Sequence, residues 1–378
     1  MFITIFFFLV YASLIIYYRQ SWLQITTTAT PQQTSNGVLH TTISVIISAR
    51  NEEENISKCL QSITKQTYPS QLFETMVIDD YSTDNTEKII GSYHDKNVSL
   101  ISLKDFVGKQ SINSYKKKAI EIGISKAKGE LIVITDADCI VPDTWLKTIA
   151  AFYEAHSPVF IAAPVAYYGE NNFLKIFQSL DFMTLQGITG AAVYKKFHNM
   201  CNGANLAYPK KIFYEVDGFK GIDNIASGDD MLLMQKIYNK YPEKVMFLQS
   251  VSAIVKTKPM ETLKDFLHQR IRWASKADKY SDKKISSVLL MVYLFNLYVL
   301  LLGIISLFYH YTFYLFAGVL FAKMLIELFF LYPIAKFFNK EQMLWWFPLA
   351  QPFHILYTII AGWLGKFGSY EWKERKVK

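Results

Sequence analysis

Residues 131–138 read LIVITDAD, and this stretch decides the fold. Five apolar or β-branched side chains in succession have the composition of a strand covered on both faces, since a strand wet on one side alternates apolar and polar residues. The run ends in Asp136 and Asp138, one residue apart with nothing basic beside them. A buried strand that finishes this way delivers two carboxylates to the rim of a sheet.

Working outward, the pattern recurs. ISVIISA (43–49) and TMVIDD (75–80) read as buried strands, Asn97 to Ser102 as a shorter one, and Gly129 to Asp138 as the bounds of the strand just described. Helical spacing runs from Glu52 to Gln66 and, rich in lysine, from Ser111 to Lys128. Capping residues predict a helix opening at Ser82-Thr83-Asp84, and Asp143 is the predicted cap of another. Strands alternating with helices of this length predict an α/β fold, a doubly wound and mostly parallel sheet. Ligands of such sheets sit beyond the carboxyl ends of the strands. Three polar clusters fall there: Arg50-Asn51-Glu52-Glu53, Asp79-Asp80 and Asp136-Ala137-Asp138; a further acidic pair follows at Gly228-Asp229-Asp230. Gathered carboxylates repel and lose hydration. A hard cation, Mg²⁺ or Mn²⁺, removes the conflict, taking one or two carboxylates and filling its remaining positions with water and phosphate oxygens. A lone DxD is a weak sign, because Asp at a strand end also caps helices; its recurrence on two strands makes it a strong one. Neither a GxxxxGK loop nor a GxGxxG turn occurs, so a diphosphate here falls to metal and side chains.

The 378 residues are 51% hydrophobic, concentrated at the two ends. Residues 2–18 carry no charge, Ser286 to Tyr332 is broken only by SLFYHYT, Lys323 and Glu327, and Leu344 to Leu364 is a further apolar run. At about 20 apolar residues per crossing, this predicts one N-terminal span and two or three near the C-terminus. No Lys or Arg precedes the first run and no clean cleavage site follows it, which favours a permanent anchor over a signal peptide. The expected division is an anchor (1–20), a polar linker (21–40), a catalytic domain (41–258), an amphipathic helix (259–284) and a membrane region with a basic tail (285–378). Lysines after Arg19 place the catalytic domain in the cytoplasm of a multi-pass cell-membrane protein. The basic tail should be cytoplasmic, yet three C-terminal spans would put it outside: either one apolar run is re-entrant, with Pro348 and Pro352 making 344–364 the candidate, or the charge rule does not hold here. The net charge of +8 suits a surface resting on anionic lipid, and no nucleic-acid-reading motif accompanies it. Cys59, Cys139 and Cys201 lack metal-type spacing and read as reduced thiols, which makes the sequons at Asn55 and Asn97 chance matches. In ETLKDFLHQRIRWASKADKY (261–280), Leu263, Phe266, Leu267, Ile271 and Ala274 share one side of a helix; Gln269, Arg272 and Trp273 face roughly the other, as in a helix lying at a membrane surface.

Taken together, VIISARNEEENISKCLQSI, MVIDDYSTDNT, KAKGELIVITDADC, NGANLAYPKKIFYEVDGF, SGDDMLL and QRIRW, spanning residues 43–273 in order, resemble the membrane-bound family-2 glycosyltransferases. These are inverting enzymes of GT-A fold related to cellulose, hyaluronan and poly-N-acetylglucosamine synthases. The resemblance implies that Ala49 to Glu53 and the pair Asp79-Asp80 hold the base and ribose of a nucleotide sugar, a UDP-sugar. It implies that Asp138 is the metal ligand at the diphosphate, with Asp136 nearer the ribose, and that Lys118 faces the nucleotide. Asp230 would be the general base. Gly203, Ala204, Asn205 and Asp229 would line the acceptor side, and the departure from the commoner Glu-Asp form bears on Asp229. In QRIRW, Arg272 would meet the diphosphate, Gln269 the acceptor or a phosphate oxygen, and Trp273 the acceptor sugar. The chemistry suits these types: an attacking hydroxyl needs its proton removed, and the leaving diphosphate needs a cation or guanidinium. The expected acceptor is a growing polysaccharide or a lipid-linked acceptor. The rival readings are a catalytically inactive nucleotide-binding subunit of a polysaccharide export complex, and a metal-dependent nucleotidyltransferase.

Overall fold

A computed structural model describes residues 2–28, 39–108, 112–225, 227–276, 282–368, 370–372 and 375–377. The described residues form two compact units, one drawn from 26–166 and 199–258, the other from 1–25, 167–198 and 259–378.

The first unit is built on strands β1 (Ile43–Ala49), β2 (Phe73–Asp79), β3 (Val98–Ser102), β4 (Leu131–Asp136), β5 (Phe160–Ala162), β6 (Val165–Tyr167), β7 (Leu206–Pro209), β8 (Val245–Phe247) and β9 (Val255–Thr257). Seven of them form one sheet in the order β3-β2-β1-β4-β7-β5-β8. β3, β2, β1 and β4 run parallel, and the first five residues of β4 are buried, as an all-apolar run requires. In the register, Ala49 pairs with Asp79 and Ser48 with Asp136, so the carboxylates that end β2 and β4 reach the same rim.

The expected parallel sheet meets an exception at β7, which runs antiparallel to both β4 and β5. The chain reaches β7 only after residues 167–198 have been placed in the other unit. Without a helical crossover on the sheet face, nothing imposes a parallel return. Several boundaries also shift. The lysine-rich helix is Tyr115–Lys126 (Ser111 lies outside the described residues), and the helix after β4 is Trp145–His156, capped at Thr144 rather than Asp143. The helix expected from Ser82 starts at Thr86, because residues 82–85 are held by the loop after β1: Asn51 Oδ1 accepts from Thr83 N (2.9 Å) and Glu53 Oε2 from Asn85 N (2.9 Å).

At the start of β4, a Cβ on Gly129 would lie 2.5 Å from the backbone of Ile43 and Ser44. Gly129→Ala is expected to destabilise the sheet unit by about 1–3 kcal/mol or more, the range for overpacking against atoms that cannot yield. Thermal unfolding measures it; an unchanged melting temperature would mean that the two strands separate freely there.

The second unit is helical. Phe2–Thr28 passes the expected end of the anchor at residue 20, since Tyr18, Trp22 and Ile25 continue one buried stripe at helical spacing. The expected linker is thus helical to Thr28, and its residues 29–38 lie outside the described residues. Phe173–Tyr194 joins this unit rather than the catalytic domain expected over 41–258. It does so through contacts to the 259–270 segment: Lys175 Nζ to Glu261 Oε2 (2.7 Å), Gln178 Nε2 to Met260 O (2.9 Å) and Arg270 to Asp181.

Among the described residues, three helices are long and apolar enough to cross a membrane: Phe2–Ile25, Lys283–Ser306 and His310–Phe337. Two of these candidates, among the described residues, lie towards the C-terminus. Phe347–Phe367 carries Pro352, Gln351 and His354 and packs along Leu263–Ala274, where a Cβ on Gly365 would lie 2.6 Å from the Ala274 Cβ. Within His310–Phe337, Lys323 and Glu327 neutralise each other: buried Lys323 Nζ donates to Glu327 Oε1 (2.6 Å) and Gln351 Oε1 (2.9 Å), and Tyr11 donates to Glu327. Apolar surroundings admit such a pair only when both members are satisfied.

Candidate active site

The rim of the sheet unit collects the acidic clusters. Asp136 is the first residue of β4 to emerge from burial. Its Oδ1 accepts from Lys116 Nζ at 2.7 Å, and the same ammonium lies 3.3 Å from Asp229 Oδ2. Burial works against the Lys116 ammonium, but Asp136, Asp229 and Asp230 outweigh it and hold its pKa above the ordinary lysine value. Asp230 caps the helix Met231–Lys240, with Oδ1 accepting from Met231 N (2.7 Å) and Oδ2 from Gly203 N (3.0 Å). A Cβ on Gly203 would stand 3.5 Å from Lys116 Nζ and 3.6 Å from both Asp229 Oδ2 and Asp230 Oδ2. Lys116, Asp229 and Asp230 thus converge on Gly203, with Asp136 joined to them through Lys116, although the chain separates these residues by up to 114 positions.

Asp138 lies one step along the rim. Its Oδ2 accepts from Thr257 Oγ1 (3.0 Å). Burial, then the charges of Asp136 and Glu52, hold its carboxyl above the usual aspartate value. Among the described residues no group of three or more His, Cys, Asp or Glu side chains forms a metal cluster. What the rim offers is a carboxylate whose ionised form is disfavoured for want of positive charge, the donor set that suits a cation bringing phosphate oxygens with it. The Cys59 and Cys139 thiols beneath it are free and pushed up by burial and by Asp138 and Asp136, as inert reduced thiols should be.

The loops after β1 and β2 are locked together. Arg50 Nη1 donates to the carbonyls of Asp80 (2.9 Å) and Tyr81 (3.3 Å), and Asp80 N donates to Ala49 O (2.7 Å). Ala49, Asp79 and Asp80 are buried at the rim; Asp79 Oδ2 accepts from Ser82 N, while its Oδ1 is buried with no hydrogen-bond partner. Glu53 is occupied by Asn85 through both N and Nδ2, so it braces the two loops.

Two expected residues stand elsewhere. Lys118 points away, paired with Glu121 Oε2 at 2.7 Å on the exposed face of its helix; Lys116 is the lysine that reaches the carboxylates. The helical stripes explain this, for Lys118 shares a face with Glu121 and exposed Ser125, whereas Lys116 lies with buried Ala119, Ile120 and Gly123. Asn205 is a core residue. Its Nδ2 donates to the carbonyls of Pro164 and Ala253 (2.8 Å each), and its Oδ1 accepts from Trp145 Nε1 (3.0 Å). Full burial and complete pairing leave it nothing for an acceptor. Ala204 is buried beside it, its N donating to Asn202 Oδ1. Sequence reading missed Thr257, because a threonine on a short strand carries no signal until the fold brings it to Asp138.

The QRIRW residues belong to the helical unit. Gln269 Oε1 accepts from Arg270 Nη1 (2.7 Å), Trp273 lies under the Arg270 guanidinium (4.2 Å), and Arg272 is half-buried on the same helix. Arg270, which the sequence did not single out, organises them: buried, it donates from Nε (3.0 Å) and Nη2 (2.7 Å) to Asp181 Oδ2.

A mostly parallel α/β sheet that carries its acidic clusters on one carboxyl rim has the GT-A architecture. The mannosyltransferase PcManGT from Pyrobaculum calidifontis, solved with GDP-Man and Mn2+, shares this fold with a TM-score of 0.54 at 18% identity, over 91% of this chain and 94% of that one. Residues 131–364 match the family model "Glycosyl transferase family group 2" and residues 44–217 match "Glycosyl transferase family 2"; the chain belongs to the family-2 glycosyltransferases. Among its relatives, "Glycosyltransferase AglE" of Haloferax volcanii is 34% identical over 105 residues, 28% of this chain and 33% of AglE. "Poly(ribitol-phosphate) beta-N-acetylglucosaminyltransferase TarS" of Staphylococcus aureus is 33% identical over 114 residues, 30% of this chain and 19% of TarS. The chain thus covers no more than a third of either relative's own length.

Proposed function

We propose that this protein is a membrane-embedded, inverting glycosyltransferase that moves a sugar from a cytoplasmic nucleotide sugar, a UDP-sugar, to a glycan or lipid-linked acceptor. The observation that carries the reading is the convergence of Lys116, Asp229 and Asp230 on Gly203, with Asp136 joined to them through Lys116. A transferase needs a cationic place for the leaving diphosphate beside an anionic place for the attacking hydroxyl, and this cluster offers both. The roles that the family resemblance implies for Gln269, Arg272 and Trp273 are part of the proposal.

Asp230 takes the acceptor proton. Backbone N–H groups fix both of its oxygens, and each keeps a lone pair for a hydroxyl. Lys116 pairs with Asp136 and Asp229 and supplies a positive charge for phosphate oxygens as the glycosidic bond breaks. Buried Asp79, with one oxygen free of partners, would accept from a nucleoside hydroxyl or ring N–H. Asp138, with Asp136 beside it, would hold a Mg²⁺ or Mn²⁺ ion. When bound, that ion supplies charge to the departing diphosphate. Attack from the face opposite the leaving group inverts the anomeric centre. Three spans, with the lysine-rich chain after Arg19 facing the cytoplasm, put the N-terminus outside and the basic tail inside.

Asp138→Ala tests the donor site. Binding of a nucleotide sugar measured with and without Mn²⁺ is expected to lose its metal dependence, and affinity that still rises with Mn²⁺ would remove Asp138 from that role. On membranes supplied with labelled donor, release of nucleoside diphosphate distinguishes a transferase from a nucleotidyltransferase, which releases pyrophosphate, and from an inactive subunit, which releases neither. A high-mass ladder in the same assay identifies a polymer acceptor, and an organic-extractable product a lipid one.

A further inference from the structure

The helix Tyr115–Lys126 buries a second ammonium, one residue after the one that meets Asp136. Lys117 is 2% exposed, and its Nζ donates to the carbonyl oxygens of Ile222 (2.6 Å), Ile225 (2.6 Å) and Ser227 (3.1 Å). A buried ammonium without such partners would be costly, and charge-assisted bonds to three carbonyls are strong ones. The ammonium therefore fixes the direction of the carbonyls of Ile222, Ile225 and Ser227, none of which lies in a helix or strand. A turn bond, Ile225 N to Ile222 O at 3.3 Å, joins the first two of them.

That segment runs straight into the acidic pair. Ser227 is followed by Gly228 at φ +80, a left-handed conformation that a side chain would strain, and then by Asp229 and Asp230. Beyond Asp230 the helix Met231–Lys240 begins, with Leu232 N donating to Gly228 O (3.1 Å). The pair is thus suspended between two anchors, the helix on one side and the Lys117 ammonium on the other. Successive side chains on a helix diverge by about 100°, which lets Lys116 hold Asp229 by its carboxylate while Lys117 holds the backbone leading to it.

We propose that Lys117 is a positioning residue for Asp230: its ammonium, acting as a built-in monovalent cation, sets where the loop presents the base and its neighbour. This rests on the reading of Asp230 as the base. A displacement of about 1 Å in a catalytic group can cost ~10²-fold in rate, so the effect belongs in kcat rather than in donor KM.

The test uses the full-length protein in membranes. Lys117→Ala is expected to lower kcat by about 10- to 10²-fold, with donor KM changed by less than about twofold. n-Propylammonium, which replaces the atoms from Cγ to Nζ, is expected to restore turnover where n-propanol does not. Equal rescue by the neutral alcohol would reduce Lys117 to a space-filler and overturn the proposal. If the alanine variant does not fold, Lys117→Met keeps the apolar stem and Lys117→Arg keeps the charge. The expected order of kcat is then wild type, Arg, Met, and a methionine variant at wild-type kcat overturns the clamp. Asp230→Asn assayed in parallel separates the two readings: normal turnover there sinks the base assignment, whereas an inactive Asp230→Asn beside a normal Lys117→Met sinks the clamp alone.

Discussion

Asp230→Asn is expected to lower turnover by about 10²-fold or more, the contribution of a well-placed general base, while donor binding stays close to wild type. The amide keeps the size of the carboxylate but cannot take a proton from the acceptor. The change also has a structural consequence. Both oxygens of Asp230 accept from backbone N–H groups, Gly203 N on one and Met231 N on the other. An asparagine presents one acceptor and one donor, so one of these amides faces an NH₂ group. Losing a partner for a buried N–H costs about 1–3 kcal/mol, and a lower melting temperature should accompany the catalytic defect. Turnover is therefore measured per folded molecule, well below the transition. Near-normal turnover on that basis would reduce Asp230 to a helix cap.

Asp181→Ala is expected to remove about 3–5 kcal/mol of stability, the range for breaking a buried ion pair from one side. Its carboxylate takes two bonds from the Arg270 guanidinium and one from the Tyr357 hydroxyl. Without it, Arg270 is left buried between Phe266 and Trp273 with its charge facing Gln269 and the rings and no carboxylate paired to it among the described residues. Asp181→Leu combined with Arg270→Met should recover much of the loss, since exchanging both members for apolar groups of similar volume removes the desolvation penalty along with the attraction. Thermal unfolding in detergent reads both. A single-variant loss below about 1 kcal/mol would place the pair with solvated surface bridges, whose worth is of that order.

The rim carboxylates of the sheet unit were legible in the sequence because a strand's direction fixes where its last residue goes. Asp79 and Asp136 end strands whose burial is written in their apolar runs, and register brings them to one edge. The adjoining lysines were harder. Lys116, Lys117 and Lys118 are identical in type, and only the buried stripe of their helix assigns one to the carboxylates, one to backbone carbonyls and one to solvent. Asn205 shows the opposite failure: a polar residue in a family motif that reads as a ligand contact, yet holds Trp145 and two carbonyls together in the core.

By itself, the sequence determined the strands of the parallel half-sheet, the acidic pairs at their ends and the long apolar helices, because each rests on side-chain periodicity or on a run of one character within a few residues. Tertiary structure alone decided the reversed direction of β7, the transfer of Phe173–Tyr194 to the helical unit, the pairing of Arg270 with Asp181 and the partners of Lys117. The last two depend on groups about 90 to 110 residues apart in the chain, and a polar side chain does not announce whether it will meet a ligand, a carbonyl or an opposite charge until folding has removed the water around it.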